Sequence, residues 1–225
     1  MHKVIVPENL KSAVTAFFTG KDPGASSSAV ADMLRIRQDR IYLPLQKHTD
    51  KIIILESSIE PKVGDAVLTH ARGMLIGVQV ADCVPVLLYD SRQHVVGAIH
   101  AGWRGTAGSI LKKTVAEISR RFAGSPEHIM VAIGPSISSC CYAVGPDVCS
   151  AVISATGEGS YHRTVSETHY LDLASANRMQ ALSAGIPEQN IWVSGECTFC
   201  NPETFYSFRY SKGSNGRQGA FIGII

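Results

Sequence analysis

The sequence predicts a mixed α/β fold whose neighbouring strands pair largely antiparallel. Strand-like runs alternate with helical stretches, but several runs follow one another without room for a crossover helix. The 225 residues are 45% hydrophobic and 18% charged, which suits a folded core and excludes a disordered chain. Because no linker or internal repeat divides the chain, we expect a single domain over residues 1–225.

Four stretches carry the pattern of helices. Between Leu111 and Phe122, apolar residues recur at spacings of four, three and four, which places them on one helical face. The sequence Gly124-Ser125-Pro126 ends this helix, because glycine and proline both favour termination. The other predicted helices follow the capping cluster Ser26-Ser27-Ser28, span Pro146–Thr156 with proline in the first turn, and span Leu173–Ala184.

Short apolar runs rich in valine and isoleucine predict the strands, since each has the length of a strand. Two of these runs flank the tripeptide Ala81-Asp82-Cys83, which we therefore expect between two strands. The predicted strands are Lys51–Leu55, Met74–Val80, Val84–Tyr89, Val95–His100, His128–Ile133, Ile191–Ser194 and Ala220–Ile225.

Charge and hydropathy exclude several classes of function. The 21 lysines and arginines nearly balance the 19 acidic residues, and no basic stripe with interleaved aromatic residues suggests a nucleic-acid partner. The longest apolar runs are far shorter than the roughly 18 residues of a membrane-spanning helix. The first residues lack the apolar region of a signal peptide, so we expect a cytoplasmic protein. Glycine motifs of dinucleotide-binding and P-loop proteins are absent.

Six cysteines lie at positions 83, 140, 141, 149, 197 and 200. In a reducing compartment they are expected as free thiols. The pair Cys197-x-x-Cys200 has the spacing of a zinc or redox motif, but no second pair of this spacing accompanies it. We therefore interpret these cysteines as buried or half-buried thiols in a loop.

Three residues form a candidate metal site. His48 precedes a predicted strand, Cys83 lies between two, and His100 lies where a strand meets a helix. Two imidazole nitrogens and one thiolate suit zinc with a free fourth position, as in a catalytic site. The alternative from the residues alone is a buried cysteine and two hydrogen-bonded histidines.

The glycine-rich run from Gly102 to Gly108 precedes the helix predicted from Ser109. Small residues expose backbone N–H groups at a helix N-terminus, which favours an anion there. Arg104 would add a bidentate contact to phosphate or carboxylate. The alternative is an ordinary glycine turn with a solvated or paired Arg104.

Several sequence motifs occur in order from Gln46 to the C-terminus. They are Gln46-Lys47-His48, Asp65-Ala66-Val67-Leu68-Thr69, Ala81-Asp82-Cys83-Val84-Pro85, His100-Ala101-Gly102-Trp103-Arg104-Gly105, Ile133-Gly134-Pro135-Ser136-Ile137, Cys141-Tyr142-Ala143-Val144, Cys197-Thr198 and Phe205-Tyr206-Ser207-Phe208-Arg209. Together they resemble the laccase-domain family, also described as multicopper polyphenol oxidases, zinc-dependent purine nucleoside phosphorylases or peptidoglycan editing factors. Residues 1–45 match the family poorly.

The resemblance implies a layered α-β-β-α sandwich with mixed and antiparallel sheets. It implies zinc ligands at His48, Cys83 and His100, with His70 as a competing first ligand. The same three residues are the expected catalytic residues, and we expect Arg104 and Gly105 to contact phosphate.

The implied activity is phosphorolysis of adenosine, inosine and methylthioadenosine, together with adenosine deamination by metal-bound water. We expect zinc rather than copper, because eight histidines without a His-x-His pair do not suit a multicopper centre.

Two alternatives stay open. A metal-free hydrolase, either a deamidase or a peptidoglycan-precursor editing amidase, would use Cys83 as nucleophile and His100 as base. A non-catalytic interaction module is the third possibility. The sequence does not determine the oligomeric state.

Overall fold

Two β-sheets lie face to face at the centre of this computed structural model, which describes residues 4–56, 59–213 and 216–225. The strands, in chain order, are β1 (Val4–Ile5), β2 (Thr15–Thr19), β3 (Ile41–Tyr42), β4 (Ile52–Ile54), β5 (Ala66–Thr69), β6 (Leu75–Val80), β7 (Val84–Asp90), β8 (Val95–Ala101), β9 (Ile129–Ile133), β10 (Ala143–Val144), β11 (His162–Val165), β12 (Thr168–Leu171), β13 (Ile191–Val193) and β14 (Gln218–Gly223). The helices are α1 (Ser27–Leu34), α2 (Trp103–Ala107), α3 (Ile110–Phe122), α4 (Pro146–Thr156) and α5 (Leu173–Ser183).

Antiparallel pairing dominates both sheets. One has five strands in the order β1-β2-β14-β6-β3, and the other has six in the order β13-β9-β7-β8-β5-β4. Parallel pairs occur at β3–β6, β4–β5 and β13–β9, each involving a strand at a sheet edge. A third, small antiparallel sheet has the order β10-β12-β11. The predicted combination of mixed and antiparallel sheets is therefore confirmed.

The six-stranded sheet is covered on both faces, which explains why its strands read as continuous apolar runs. In β7, Val86 and Leu88 join a cluster with the buried helix residue Leu111. The intervening Leu87 joins Phe18 of the five-stranded sheet in a second cluster. Alternate side chains of one strand thus fill two different core layers.

Helices complete the layers on the outer faces of the two sheets. The apolar stripe of α3 is buried against the six-stranded sheet, α5 packs beside it, and α4 packs on α2 and α5. On the other side, Val30 of α1 packs with Phe17 and Phe221 of the five-stranded sheet. The expected α-β-β-α sandwich is confirmed.

Local backbone geometry sets the C-terminal ends of two predicted helices. Helix α3 ends at Phe122 because Ala123 already has a left-handed conformation with φ 54°, one residue before the glycine expected to end it. Helix α1 ends at Leu34, where the N–H of the left-handed Arg35 closes the last turn. At its other end, the Ser26 side chain caps the helix as expected.

Some elements are missing from the sequence prediction. Strand β2 was not predicted, and the glycine-rich run expected as a loop contains the short helix α2. Strands β11 and β12 carry mostly exposed or half-exposed residues, so they lack the apolar signal on which strand prediction depends.

In the described part of the chain, no helix has both the length and the apolar character needed to cross a bilayer.

We expect Leu87→Ala to destabilise the protein by about 2–5 kcal/mol, because it leaves a cavity between the two sheets. Leu45→Ala removes the same atoms from a side chain that is 49% exposed, and should change stability by about 0.5 kcal/mol or less. Chemical denaturation of both variants measures the difference. Equal losses would contradict the assignment of Leu87 to the inter-sheet core.

Candidate metal centre

Three side chains that are distant in the sequence meet at one end of the six-stranded sheet. His48 lies in the loop between β3 and β4, Cys83 in the turn between β6 and β7, and His100 in β8. One ligand atom of each lies within 4.8 Å of the others. His48 is exposed, Cys83 half-buried and His100 buried, so the group extends from the interior to solvent.

Pairing of β7 with β8 brings Cys83 beside the segment that follows His100. The register places Val84 opposite Ala101, so the preceding Cys83 faces Gly102. A Cβ atom on Gly102 would lie 2.9 Å from Sγ of Cys83, closer than real contacts allow. The absence of a side chain at Gly102 therefore makes room for the thiol.

The fully buried carboxylate of Asp65 connects the two histidines. Its Oδ1 accepts hydrogen bonds from the backbone N–H of His48 at 3.0 Å and from Nδ1 of His100 at 2.8 Å. Its Oδ2 accepts from the backbone N–H and the hydroxyl of Thr49, each at 2.7 Å. Asp65 thus holds the loop of His48 and orients the imidazole of His100. The left-handed φ of 56° at His48 sets the direction of its own imidazole.

Hydrogen bonding sets the charge states of this group in the absence of a metal. Burial opposes the charge of Asp65, but bonds from His100 and Thr49 hold its pKa far below the usual carboxyl range. Burial also opposes the imidazolium of His100, yet bonds to Asp65 and Cys83 raise its pKa to about 9. For Cys83, bonds from His100 and His48 outweigh burial and lower the thiol pKa to about 6.

The donor set fits a divalent metal ion such as zinc. Zinc binds imidazole nitrogen and thiolate sulfur at about 2.0–2.3 Å, which places neighbouring ligand atoms roughly 3.3–3.8 Å apart. The three atoms here lie within 4.8 Å of one another, so small side-chain rotations bring them to those distances. Because Asp65 binds Nδ1 of His100, Nε2 is the nitrogen left for a metal. Three side chains leave the fourth tetrahedral position free, as catalytic zinc sites do.

His48, Cys83 and His100 line a cavity of about 600 Å³, a volume typical of small-molecule sites. Its wall combines aromatic with cationic side chains. The aromatic ones are Trp103, Tyr142 and Phe208, and the cationic ones are Lys47, Arg209 and Arg217. Such a wall suits a ligand that has both a flat ring and a negative charge.

Arg104 and Gly105, the expected phosphate contacts, are not among the described residues that line this cavity. Arg104 is exposed, and its guanidinium lies 4.3 Å from the ring centre of Trp103. In the same run, the N–H groups of Thr106 and Gly108 donate to backbone carbonyls within the helical turn. Those two groups are therefore not presented to an anion.

His70 lies outside the metal-binding group. Its ring packs against Phe122, with the ring centres 5.4 Å apart. Asp82, the residue before Cys83, accepts hydrogen bonds from the Thr198 hydroxyl and the Arg209 backbone N–H, both at 2.7 Å. This contact ties the turn before Cys83 to a loop near the C-terminus.

Two loops that are far apart in the sequence supply much of the cavity wall. Tyr142 follows β9 by nine residues, and Phe208 and Arg209 precede β14. The Arg209 guanidinium lies 5.2 Å from the Tyr142 ring centre and donates to the carbonyl of Ala143 at 3.0 Å. The motifs containing Tyr142 and Arg209 marked these positions, but nothing in the sequence indicated that they are neighbours.

Comparison with known proteins identifies a matching family. The family model described as multi-copper polyphenol oxidoreductase laccase matches residues 24–225. The chain is 40% identical over 162 residues to the purine nucleoside phosphorylase YlmD of Geobacillus stearothermophilus, covering 71% of this chain and 59% of that protein. Thus the matched part of the chain spans about three-fifths of the length of that relative.

Two further comparisons cover more of both partners. Adenosine deaminase RL5, from an unknown prokaryotic organism, is 34% identical over 210 residues, covering 87% of this chain and 78% of that protein. The crystal structure of YlmD from Geobacillus stearothermophilus superposes with a TM-score of 0.88 at 31% identity, covering 94% of this chain and 92% of that one. The shared fold therefore extends over nearly the whole chain.

We expect Asp65→Asn to weaken metal binding by about 10–100-fold, since an amide cannot accept all the hydrogen bonds from His48, Thr49 and His100. Competition with a chromophoric chelator measures the change. Asp90→Asn is the matched control, because it alters a fully buried carboxylate at the far end of β7 that accepts hydrogen bonds from the backbone N–H groups of Arg92 and Gln93. An equal loss of affinity in both variants would contradict the role given to Asp65.

Proposed function

The chain belongs to the multi-copper polyphenol oxidoreductase laccase family, and from this premise we propose that it is a zinc-dependent purine nucleoside phosphorylase. The observation that carries the proposal is the convergence of His48, Cys83 and His100 in a cavity with aromatic and cationic walls. The names of the relatives, purine nucleoside phosphorylase and adenosine deaminase, support a nucleoside as the substrate. We propose adenosine, inosine and methylthioadenosine, with adenosine deamination as a second activity.

Copper oxidation does not suit the arrangement of histidines. A multicopper oxidase needs several histidine-rich sites, whereas among the described residues only His48 and His100 belong to a group of three or more potential metal ligands that includes histidine. Others pair singly: His94 with the Tyr89 hydroxyl, His162 with Glu158 and His169 with Thr164. The activity that we propose therefore differs from the laccase activity in the description of the family.

The cavity provides aromatic surfaces for the base of the proposed substrates. Trp103, Tyr142 and the 53%-exposed Phe208 offer aromatic surfaces on which a purine base can stack.

In phosphorolysis, the bond between the base and C1′ of the ribose breaks and a phosphate oxygen bonds to C1′. The base leaves with a proton, and the sugar leaves as its 1-phosphate.

When bound at the three ligands, zinc supplies a Lewis acid. Around it, the residues of this chain position groups and protons. Asp65 keeps a proton on Nδ1 of His100 and thereby keeps Nε2 available. The hydrogen bonds of Asp65 to the His48 loop fix the second imidazole, so the site is ordered before a substrate arrives.

Two regions of the chain offer cationic side chains for the phosphate contact. Arg104 and Gly105 follow from the glycine-rich sequence, while the cavity wall favours Arg209. The Arg209 backbone is held by Asp82 and its Nη1 by the Ala143 carbonyl, so its guanidinium is positioned with donors remaining. We therefore propose Arg209 as the main contact and keep Arg104 as the comparison.

A metal-free cysteine hydrolase is the second candidate function. The observation that favours it is the coupling of Cys83 to His100, which lowers the pKa of the thiol and raises that of the imidazole. Without a metal, such a pair provides a thiolate nucleophile and a proton donor near neutral pH.

Incubation of the protein with adenosine tests these functions. With phosphate we expect adenine and ribose 1-phosphate, and without phosphate we expect inosine, each identified by chromatography. His48→Ala and Cys83→Ser should lose the zinc of the cavity and at least about 99% of both activities, because each removes one of its three ligands. His70→Ala is the control and should keep metal and activity.

Other outcomes would contradict the phosphorylase. Activity that survives complete metal removal but is abolished by iodoacetamide would favour the Cys83–His100 hydrolase. Failure to convert any of the three nucleosides, with or without phosphate, would favour a non-catalytic module.

Kinetics at varied phosphate distinguish the two arginines. Arg209→Ala should raise the KM for phosphate by about tenfold or more, since it removes a charge-assisted hydrogen bond. Arg209→Lys should lie between the wild type and Arg209→Ala, and Arg104→Ala should have the smaller effect of the two alanine changes. A larger effect of Arg104→Ala would contradict this assignment and indicate that phosphate binds at the glycine-rich run.

A further inference from the structure

Four cysteines outside the cavity form a second group of potential metal ligands. Cys140 and Cys141 lie in the turn before β10, and Cys197 and Cys200 in the segment after β13. Their four Sγ atoms all lie within 4.8 Å of one another. Cys197 and Cys200 therefore do have a second cysteine pair beside them. That pair is Cys140 and Cys141, which are adjacent in the sequence and so lack CxxC spacing.

The distances between the sulfurs match those around a single ion. Sγ of Cys140 lies 3.6 Å from that of Cys197 and 3.6 Å from that of Cys200, and Sγ of Cys141 lies 3.3 Å from that of Cys200. Zinc–sulfur bonds of about 2.3 Å in a tetrahedron place sulfurs roughly 3.8 Å apart. A disulfide requires about 2.05 Å, and an iron–sulfur cluster spreads its four thiolates over several iron atoms.

Backbone hydrogen bonds hold the two cysteine-bearing segments together independently of the thiols. The N–H of Ser136 donates to the carbonyl of Glu196 at 3.2 Å, and the N–H of Thr198 donates to the carbonyl of Ser136 at 3.0 Å. The Asn201 amide further fixes the Cys197 carbonyl at 2.9 Å. The four sulfurs are therefore brought together by the fold, which lowers the entropy cost of binding an ion.

We propose that Cys140, Cys141, Cys197 and Cys200 form a closed tetrathiolate site for a structural zinc ion. Four thiolates fill the tetrahedral coordination of zinc and leave no position for a substrate, in contrast to the His48–Cys83–His100 group. The four thiols release their protons when the ion binds, which leaves a net charge of −2 on the site. The guanidinium of Arg163, which donates to the Ser139 carbonyl in the same turn, places a positive charge nearby.

The position of this site indicates what it stabilises. Cys141 immediately precedes Tyr142 of the cavity wall, and Cys197 precedes Thr198, whose hydroxyl bonds Asp82 beside Cys83. A zinc ion would therefore join the two loops whose contact completes the wall, without itself facing the cavity.

The zinc content of the purified protein, measured by elemental mass spectrometry, tests the proposal. We expect two zinc ions per chain in the wild type. Cys141→Ser and Cys200→Ser, tested separately so that a folding defect in one variant does not decide the result, should each lower the content to one. The double variant His48→Ala/Cys83→Ala should also hold one, and Cys149→Ser, which changes a buried cysteine of α4, should hold two.

Cobalt spectroscopy identifies the ligands. In the His48→Ala/Cys83→Ala variant, substitution with cobalt(II) should give the intense sulfur-to-metal absorption of a tetrathiolate, and Cys200→Ser in that background should remove most of it. A single zinc per chain that persists in His48→Ala/Cys83→Ala would support the cysteine site while contradicting zinc in the cavity.

Three results would overturn the proposal. One is a zinc content that the Cys141→Ser and Cys200→Ser variants do not change. Another is a disulfide among the four cysteines in protein purified under reducing conditions, seen as a mass lower by two hydrogens. The third is iron in place of zinc at this site.

Discussion

The buried carboxylate of Asp65 is the constraint on which the candidate metal centre depends. An ionised carboxylate without contact with water is unfavourable unless donors surround it. Asp65 obtains those donors from the His48 loop and from His100, so the requirement to solvate one charge also fixes two imidazoles. The same interaction selects which nitrogen of His100 is available to a metal. The positions of the two imidazoles, the protonated nitrogen of His100 and the conformation of the His48 loop therefore all depend on one buried charge.

The location of the centre follows from how the chain passes between the two sheets. Strand β6 belongs to the five-stranded sheet and β7 to the six-stranded sheet, so Cys83 lies in the turn that joins them. The β7–β8 hairpin then returns the chain to His100 at the same end. Because both sheets are packed tightly through their apolar faces, the open edge of the sandwich is where a cavity can form without disrupting the core.

Much of the fold was predictable because its signals are local. The apolar stripe of α3 and the continuous apolar runs of β7 and β8 depend on neighbouring residues, and the structure contains all three elements. Strands β11 and β12 were not predictable from periodicity, since little of their surface is buried. Residue type and placement at predicted strand ends suggested His48, Cys83 and His100 as one ligand set, and the family motifs supported the same three residues. The cavity wall and the four-cysteine group depend on contact between loops about 60 residues apart in the chain, such as Cys140 and Cys200, which no local pattern encodes.

The bare backbone at Gly102 has a consequence for protein design. The Cys83 thiol is its neighbour across the hairpin, and a methyl group at position 102 would lie too close to the sulfur. Transplanting this centre into another antiparallel scaffold would thus require more than copying three ligands at the correct strand ends. The recipient hairpin would also need a glycine facing the cysteine, and a buried acid on the adjoining strand to fasten the grafted loop.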